Sequence, residues 1–156
     1  ELIQSAVSTA APRAEINGVQ FSTDLPATLP DIVDPRRMGQ VLDNLLSNAV
    51  KYSPNGGRVL IRAHRTGTET RIEVADSGIG MTEAEQAEVF TKFFRSATAR
   101  KAAIPGVGLG LVISRRIVEE HRGTITLRSE AGRGTVFTVT LPLARAGGDF
   151  ATRAGL

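Results

Sequence analysis

Apolar positions recur at helical spacing most clearly between Asp34 and Tyr52. Met38, Val41, Leu42, Leu45, Leu46, Ala49 and Val50 fall three and four residues apart and make one wide apolar face. Asp34 stands where an N-cap belongs, Pro35 takes the first helical position, and Pro54-Asn55-Gly56-Gly57 stops the run. Elsewhere the period is two. Val19 to Leu25 alternates, with Val19, Phe21 and Thr23 on one side. Val59, Ile61 and Ala63 alternate with Leu60, Arg62 and His64, and Ile72 and Val74 continue the pattern after a Gly67-Thr68 turn, which predicts a hairpin. Ile125 to Leu127 and Val136 to Leu141 read as two more strands joined at Gly132-Arg133-Gly134. After a loop punctuated by Pro26 and Pro30, Ile32-Val33 reads as a short strand.

Three further helices are predicted. Leu2 to Ala11 is a weak one that Pro12 should end. Thr82 is an N-cap with Glu83 and Glu85 in the first turn behind it. Gly108 to His121 is the third, ended near Gly123. Residues 95 to 106 show no apolar period and read as a mobile loop, and Ala144 to Leu156 as a frayed tail. Helices interspersed with hairpins predict an α/β (α+β) two-layer sandwich. Its sheet should be mixed, mostly antiparallel, of roughly five strands, with helices on one face.

Composition narrows this picture. A chain of 156 residues with 41% apolar and 22% charged residues fits one globular domain, taken as 1–143 with 144–156 as a flexible tail. The net charge is +3 and the pI about 9.9, but the two signs are interleaved, so a nucleic-acid partner is not expected. Without cysteine there is neither a disulfide nor a thiolate metal site. No apolar run approaches the ~18 residues of a membrane span. The first residue is Glu1 rather than Met, which reads as a piece of a longer protein.

Chemistry concentrates in three stretches. Asn44, Asn48, Lys51 and Tyr52 follow one edge of the predicted helix beside its apolar stripe. An asparagine oxygen is a hard, neutral ligand suited to Mg²⁺ that already holds phosphate oxygens, and Lys51 can meet phosphate as a point charge. The same pattern is also that of an amphipathic helix with a wet polar edge. Asp76-Ser77-Gly78-Ile79-Gly80-Met81 follows a strand. It puts a carboxylate able to accept from an amine beside glycines that let backbone approach a flat ligand, although Asp-Ser-Gly is ordinary turn chemistry too. Gly106-Val107-Gly108-Leu109-Gly110-Leu111 opens a helix, where free N–H groups and the helix dipole favour phosphate. No strand precedes it and no P-loop lysine pattern is present, so neither a dinucleotide fold nor a P-loop enzyme is expected.

Taken together, and in this order, the stretches resemble the ATP-binding catalytic domain of sensor histidine kinases. The helix matches that family's N box, and Asp76 to Gly80 its first G box. Val89-Phe90-Thr91-Lys92-Phe93-Phe94-Arg95 looks like the F box, Gly106 to Leu111 the second G box, and Gly132-Arg133-Gly134-Thr135 the last glycine motif. The resemblance implies the Bergerat fold, ATP and one Mg²⁺ as cofactors, and a lid over about residues 91–107. It makes Asn48 the Mg²⁺ ligand, sets Asn44 near the phosphates or the attacked water, puts Lys51 on phosphate and stacks Tyr52 near adenine. Asp76 would accept from the adenine amine, with Thr135 sharing a bridging water. Gly78 and Gly80 would line the base and Gly108 and Gly110 meet the phosphates, with Ile79, Gly106 and Leu109 completing the set. Arg95 and Lys101 are weaker phosphate candidates.

In this family the γ-phosphoryl goes to a histidine on a separate helical dimerisation domain. His64 and His121 are the only histidines here, and neither lies in anything like that acceptor motif. At 1.5 Å per residue, His121 sits roughly 20 Å from Gly108. The partners implied are therefore a helical phosphoacceptor domain of the same parent, taken to be a homodimer, and a response regulator. Residues Glu1 to Thr9 would mark where that hairpin ended. The parent is expected to be a membrane-anchored bacterial sensor with this domain in the cytoplasm. Alternatives on the same fold are a mechanical ATPase of the gyrase or heat-shock type and an anti-sigma-factor serine kinase. The former uses a glutamate base where this chain has Asn44.

Overall fold

The elements form for local reasons and are held by one shared core. The computed structural model describes residues 1–29, 34–101, 104, 106 and 108–143. The strand expected at Ile32-Val33 and the tail from residue 144 lie outside the described residues.

Helix α2, Pro35–Lys51, is capped by Asp34, whose carboxylate accepts the Arg37 N–H at 3.0 Å. Its predicted apolar face is buried from Met38 to Val50. Helix α1 runs Leu2–Ile16 and does not stop at Pro12. The proline forfeits one N–H bond to the preceding turn. Ile3, Ala6 and Ala14, on both sides of it, are buried in the common core, so packing against α2 carries the helix through. Residues 1–9 thus contribute Ile3 and Ala6 to the domain's own core.

Five strands follow the predicted alternation: β1 Val19–Asp24, β2 Gly57–Arg65, β3 Glu69–Asp76, β4 Thr124–Glu130 and β5 Gly134–Pro142. They form one sheet in the order β1-β2-β3-β5-β4. β1 pairs with β2 in parallel and the other three pairings are antiparallel. Val59, Ile61, Ile72, Val74, Phe137 and Val139 point into the core, whereas Arg62 and His64 are exposed on the opposite face. Helices α1, α2 and α5 (Gly110–Glu120) share that single core, which leaves helices on one face as expected. Arg37 at the start of α2 meets Glu120 at the end of α5 at 2.9 Å.

Two short helices complete the fold. α3, Glu83–Glu88, has a full capping box between Thr82 and Glu85. α4, Ala97–Lys101, lies within the stretch read as a mobile loop. Ser96 caps it by accepting from the Ala99 N–H at 3.0 Å, and Ala99 and Ile104 are buried. Two anchors five residues apart are too few to show as a period.

Candidate functional site

β3 ends and β5 begins side by side, with Asp76 opposite Thr135 in the ladder. The end of α2, the start of α5 and the segment after α3 close around this point and leave a cavity of about 310 Å³. Asn44, Asn48, Lys51 and Tyr52 form one wall, and Asp76, Ile79, Gly80 and Thr135 another. Arg95, Gly106, Gly108, Leu109 and Gly110 also line it. Residues as far apart in the sequence as Asn44 and Thr135 therefore share one cavity, as the motif reading requires. Gly78 is the exception. A Cβ there would collide with the Tyr52 carbonyl, and its N–H donates to Asp76 Oδ1 at 2.9 Å. It lies behind the wall, letting the turn rest on the end of α2, where the Ile79 N–H reaches the Tyr52 carbonyl at 2.9 Å.

At one end of the cavity Asp76 is partly buried. Its Oδ1 accepts the N–H groups of Gly78, at 2.9 Å, and Thr135, at 3.3 Å. Burial outweighs these two bonds and pushes its carboxyl pKa from 3.8 up to about 6. Met81, Val89, Leu111 and Phe137 add apolar surface to the cavity's lining. A carboxylate in an apolar slot suits a flat ligand that presents an amine.

Other groups lining the cavity are cationic. The Lys51 pKa is lowered, first by burial and then by the nearby charges of Arg13 and Arg95. Arg95 keeps Nε and Nη2 buried with no hydrogen-bond partner among the described residues. Like charges brought this close make a place for an anion. Leu109 caps α5 without a side-chain bond, so the helix's first N–H groups add to the same field.

Asn48 lines the cavity with only 9% of its surface exposed. Asn44, one turn earlier, donates from Nδ2 to Ser114 Oγ at 2.9 Å. A Cβ on Gly110 would strike the Asn44 amide, so glycine is what lets α5 approach α2 here. Gly108, at φ 77°, takes the Phe93 N–H on its carbonyl at 2.9 Å and ties the F box to the second glycine motif. Of the two adjacent phenylalanines of the F box, Phe94 lines the cavity whereas Phe93 is 66% exposed.

The sequence reading missed Met81, Val89, Phe94, Ser96, Leu111 and Phe137 as lining residues. All but Ser96 are apolar, and an apolar wall leaves the same trace in a sequence as a core position. His64 is exposed on β2, and His121 caps the end of α5 with Nδ1 2.8 Å from the Ile117 carbonyl. Neither lines the cavity.

Residues 33–145 match the family model described as histidine kinase-, DNA gyrase B-, and HSP90-like ATPase. The chain is 40% identical over 146 residues to the adaptive-response sensory kinase SasA of Synechococcus sp. strain JA-3-3Ab, covering 92% of this chain and 38% of SasA. It is 38% identical over 141 residues to the sensor-like histidine kinase SenX3 of Mycobacterium bovis, covering 90% of this chain and 34% of SenX3. The chain thus spans well under half of the length of these relatives. Among solved structures, a mycobacterial sensor histidine kinase, MprB, superposes with a TM-score of 0.80 at 31% identity, covering 90% of this chain and 93% of that one. Full-length ShkA in complex with AMPPNP gives 0.80 at 31% identity, covering 94% of this chain and 30% of that one. The chain belongs to the family of histidine kinase-, DNA gyrase B- and HSP90-like ATPases, with its Bergerat fold, and is an ATP-binding catalytic domain of the sensor histidine kinase kind.

Proposed function

We propose that this domain holds Mg·ATP and donates its γ-phosphoryl group to a histidine on a separate helical dimerisation domain of the same parent, which passes it to a response regulator. The observation that carries this reading is the pairing, within one cavity, of a recessed carboxylate with Lys51 and Arg95, two cations close enough to repel, Arg95 keeping two buried N–H groups without a hydrogen-bond partner among the described residues. Asp76 accepts from the adenine amine, Tyr52 flanks the base, and Lys51 and Arg95 hold phosphate. Residues from about 91 to 107 act as a lid.

The donor set fits Mg²⁺ that arrives with its nucleotide. Asn48 offers a hard neutral oxygen on the cavity wall, and no cluster of three acidic or histidine side chains among the described residues can hold an ion by itself. When bound, the ion would supply charge neutralisation across the phosphates. Asn44, steadied by Ser114, orients the attacked end of the nucleotide. It cannot take up a proton at neutral pH, which disfavours hydrolysis by water and leaves the phosphoryl group for a better nucleophile.

That nucleophile must come from outside. α5 has 11 residues, which sets His121 roughly 17 Å from the helix start, far beyond the ~3–3.5 Å that in-line transfer needs. No helix among the described residues is long and apolar enough to cross a membrane. Anchoring of a homodimeric parent, with this domain on the cytoplasmic side, belongs to the proposal. The test is radiolabelled ATP with the chain alone and with the parent's helical hairpin added in trans. Acid-labile label should appear on the hairpin only. Stable label on the chain itself, lost in His64→Ala or His121→Ala, overturns the reading.

A further inference from the structure

Three hydrogen bonds meet on one hydroxyl beneath the carboxylate end of the cavity. Ser129 Oγ accepts the Met81 N–H at 2.8 Å, donates to the Gly134 carbonyl at 2.9 Å, and lies 2.7 Å from Thr135 Oγ1. Its place is fixed by the β4–β5 ladder, where Ser129 stands opposite Thr135, and by Gln86, whose Nε2 donates to the Ser129 carbonyl at 2.9 Å.

A serine hydroxyl has one proton and two lone pairs. The Met81 N–H occupies one lone pair. Were the Ser129 proton turned toward Thr135, the Gly134 oxygen would face Ser129 Oγ at 2.9 Å with no proton between them. With the proton on Gly134, the second lone pair is open, and the 2.7 Å contact becomes a bond donated by Thr135. Only this arrangement satisfies all three contacts. The single Thr135 proton is then committed to Ser129, and what Thr135 offers to the cavity it lines is lone pairs. Asp76 beside it offers only acceptors when ionised.

We propose that Ser129, which does not itself line the cavity, is a specificity-determining positioning residue. By holding the Thr135 proton it keeps the base-reading end of the site free of hydroxyl donors. The site then takes a base that presents an amine at this edge and rejects one that presents a carbonyl. The inference rests on the proposed role of Asp76 as reader of the base.

The test compares calorimetric affinities for ATP and inosine triphosphate, which carries a carbonyl where ATP carries the amine. The wild-type chain should prefer ATP. Ser129→Ala frees the Thr135 hydroxyl to turn and donate, and should cut the ATP-over-inosine ratio about tenfold, the worth of one hydrogen bond. Ser129→Thr, which restores a hydroxyl, should keep the preference. Thr135→Val should lower the ratio by itself, and adding Ser129→Ala to it should change the ratio no further. A general loss of packing would weaken both nucleotides alike and leave the ratio unmoved. If Ser129→Ala does not fold, Thr135→Val against Thr135→Ser carries the test, and a wild-type ratio in Thr135→Val overturns the proposal. A wild-type preference unchanged in folded Ser129→Ala overturns it while sparing the Asp76 reading. A Ser129→Ala shift that persists in the Thr135→Val background also overturns it. No preference in the wild type overturns both.

Discussion

Asp76 carries a charge that folding disfavours. Its pKa rises from 3.8 to about 6 because burial outweighs the N–H groups of Gly78 and Thr135. The folded chain therefore binds this proton more tightly than the unfolded one. The favourable contribution is complete below about pH 4 and is lost as pH rises through about 6. At pH 8 the ionised form costs on the order of 1–3 kcal/mol. Asp76→Asn should accordingly raise the unfolding temperature at pH 8 but not at pH 4, while weakening ATP binding by about 1–3 kcal/mol. Melting curves at the two pH values, paired with calorimetry, check this, and unchanged ATP affinity in the variant would remove Asp76 from the base. Wild-type affinity should also fall as pH drops below about 6, by more than the nucleotide's own titration seen with Asp76→Asn. For the metal, Asn48→Ala should abolish the gain in ATP affinity that Mg²⁺ brings and stop transfer by the parent kinase. Wild-type autophosphorylation by that variant would count against Asn48 as the ligand. Asp76 and Asn48 were legible because each sits in a short contiguous motif. Ser114, the partner of Asn44, was not, since it lies seventy residues away and a lone serine in a helix carries no signal of its contact.

At the scale of elements, periodicity found α2 because seventeen residues carry one wide buried face. It lost α4, whose five residues hold Ala99 as their anchor, with Ile104 beyond the helix. It ended α1 at Pro12 because the rule against proline is local, whereas the packing of Ile3, Ala6 and Ala14 that overrides it is not. The approach of α5 to α2 is likewise a tertiary fact, and at Gly110 it leaves no room for a side chain. A methyl group there meets the Asn44 amide. Gly110→Ala should lower stability by about 1–3 kcal/mol and impair transfer more than nucleotide binding, since it displaces Asn44. Urea denaturation gives the first quantity. A midpoint equal to wild type would mean the two helices have more room than this geometry gives them.

At the scale of the whole molecule, the two-layer plan and its one-faced sheet followed from alternation and turn chemistry alone. The order β1-β2-β3-β5-β4 did not, because strand pairing is settled by contacts distant in sequence, and the parallel pairing of β1 with β2 has no local signature. The cavity arises from that order: it sets Asp76 beside Thr135 and brings the ends of α2 and α5 over them. The motifs named the cavity's polar contents, while its apolar lining became visible only once the strands were paired. The molecule so assembled is an ATP-binding domain whose own histidines lie off the cavity, and the central property proposed for it is selective binding of Mg·ATP. Calorimetric titration of the chain with ATP and with GTP, each with and without Mg²⁺, measures this most directly. One saturable ATP site per chain is expected, tightened by Mg²⁺, with GTP weaker by about tenfold or more because a carbonyl replaces the amine that Asp76 is proposed to read. No saturable binding of ATP, or GTP bound as well as ATP, would contradict the account.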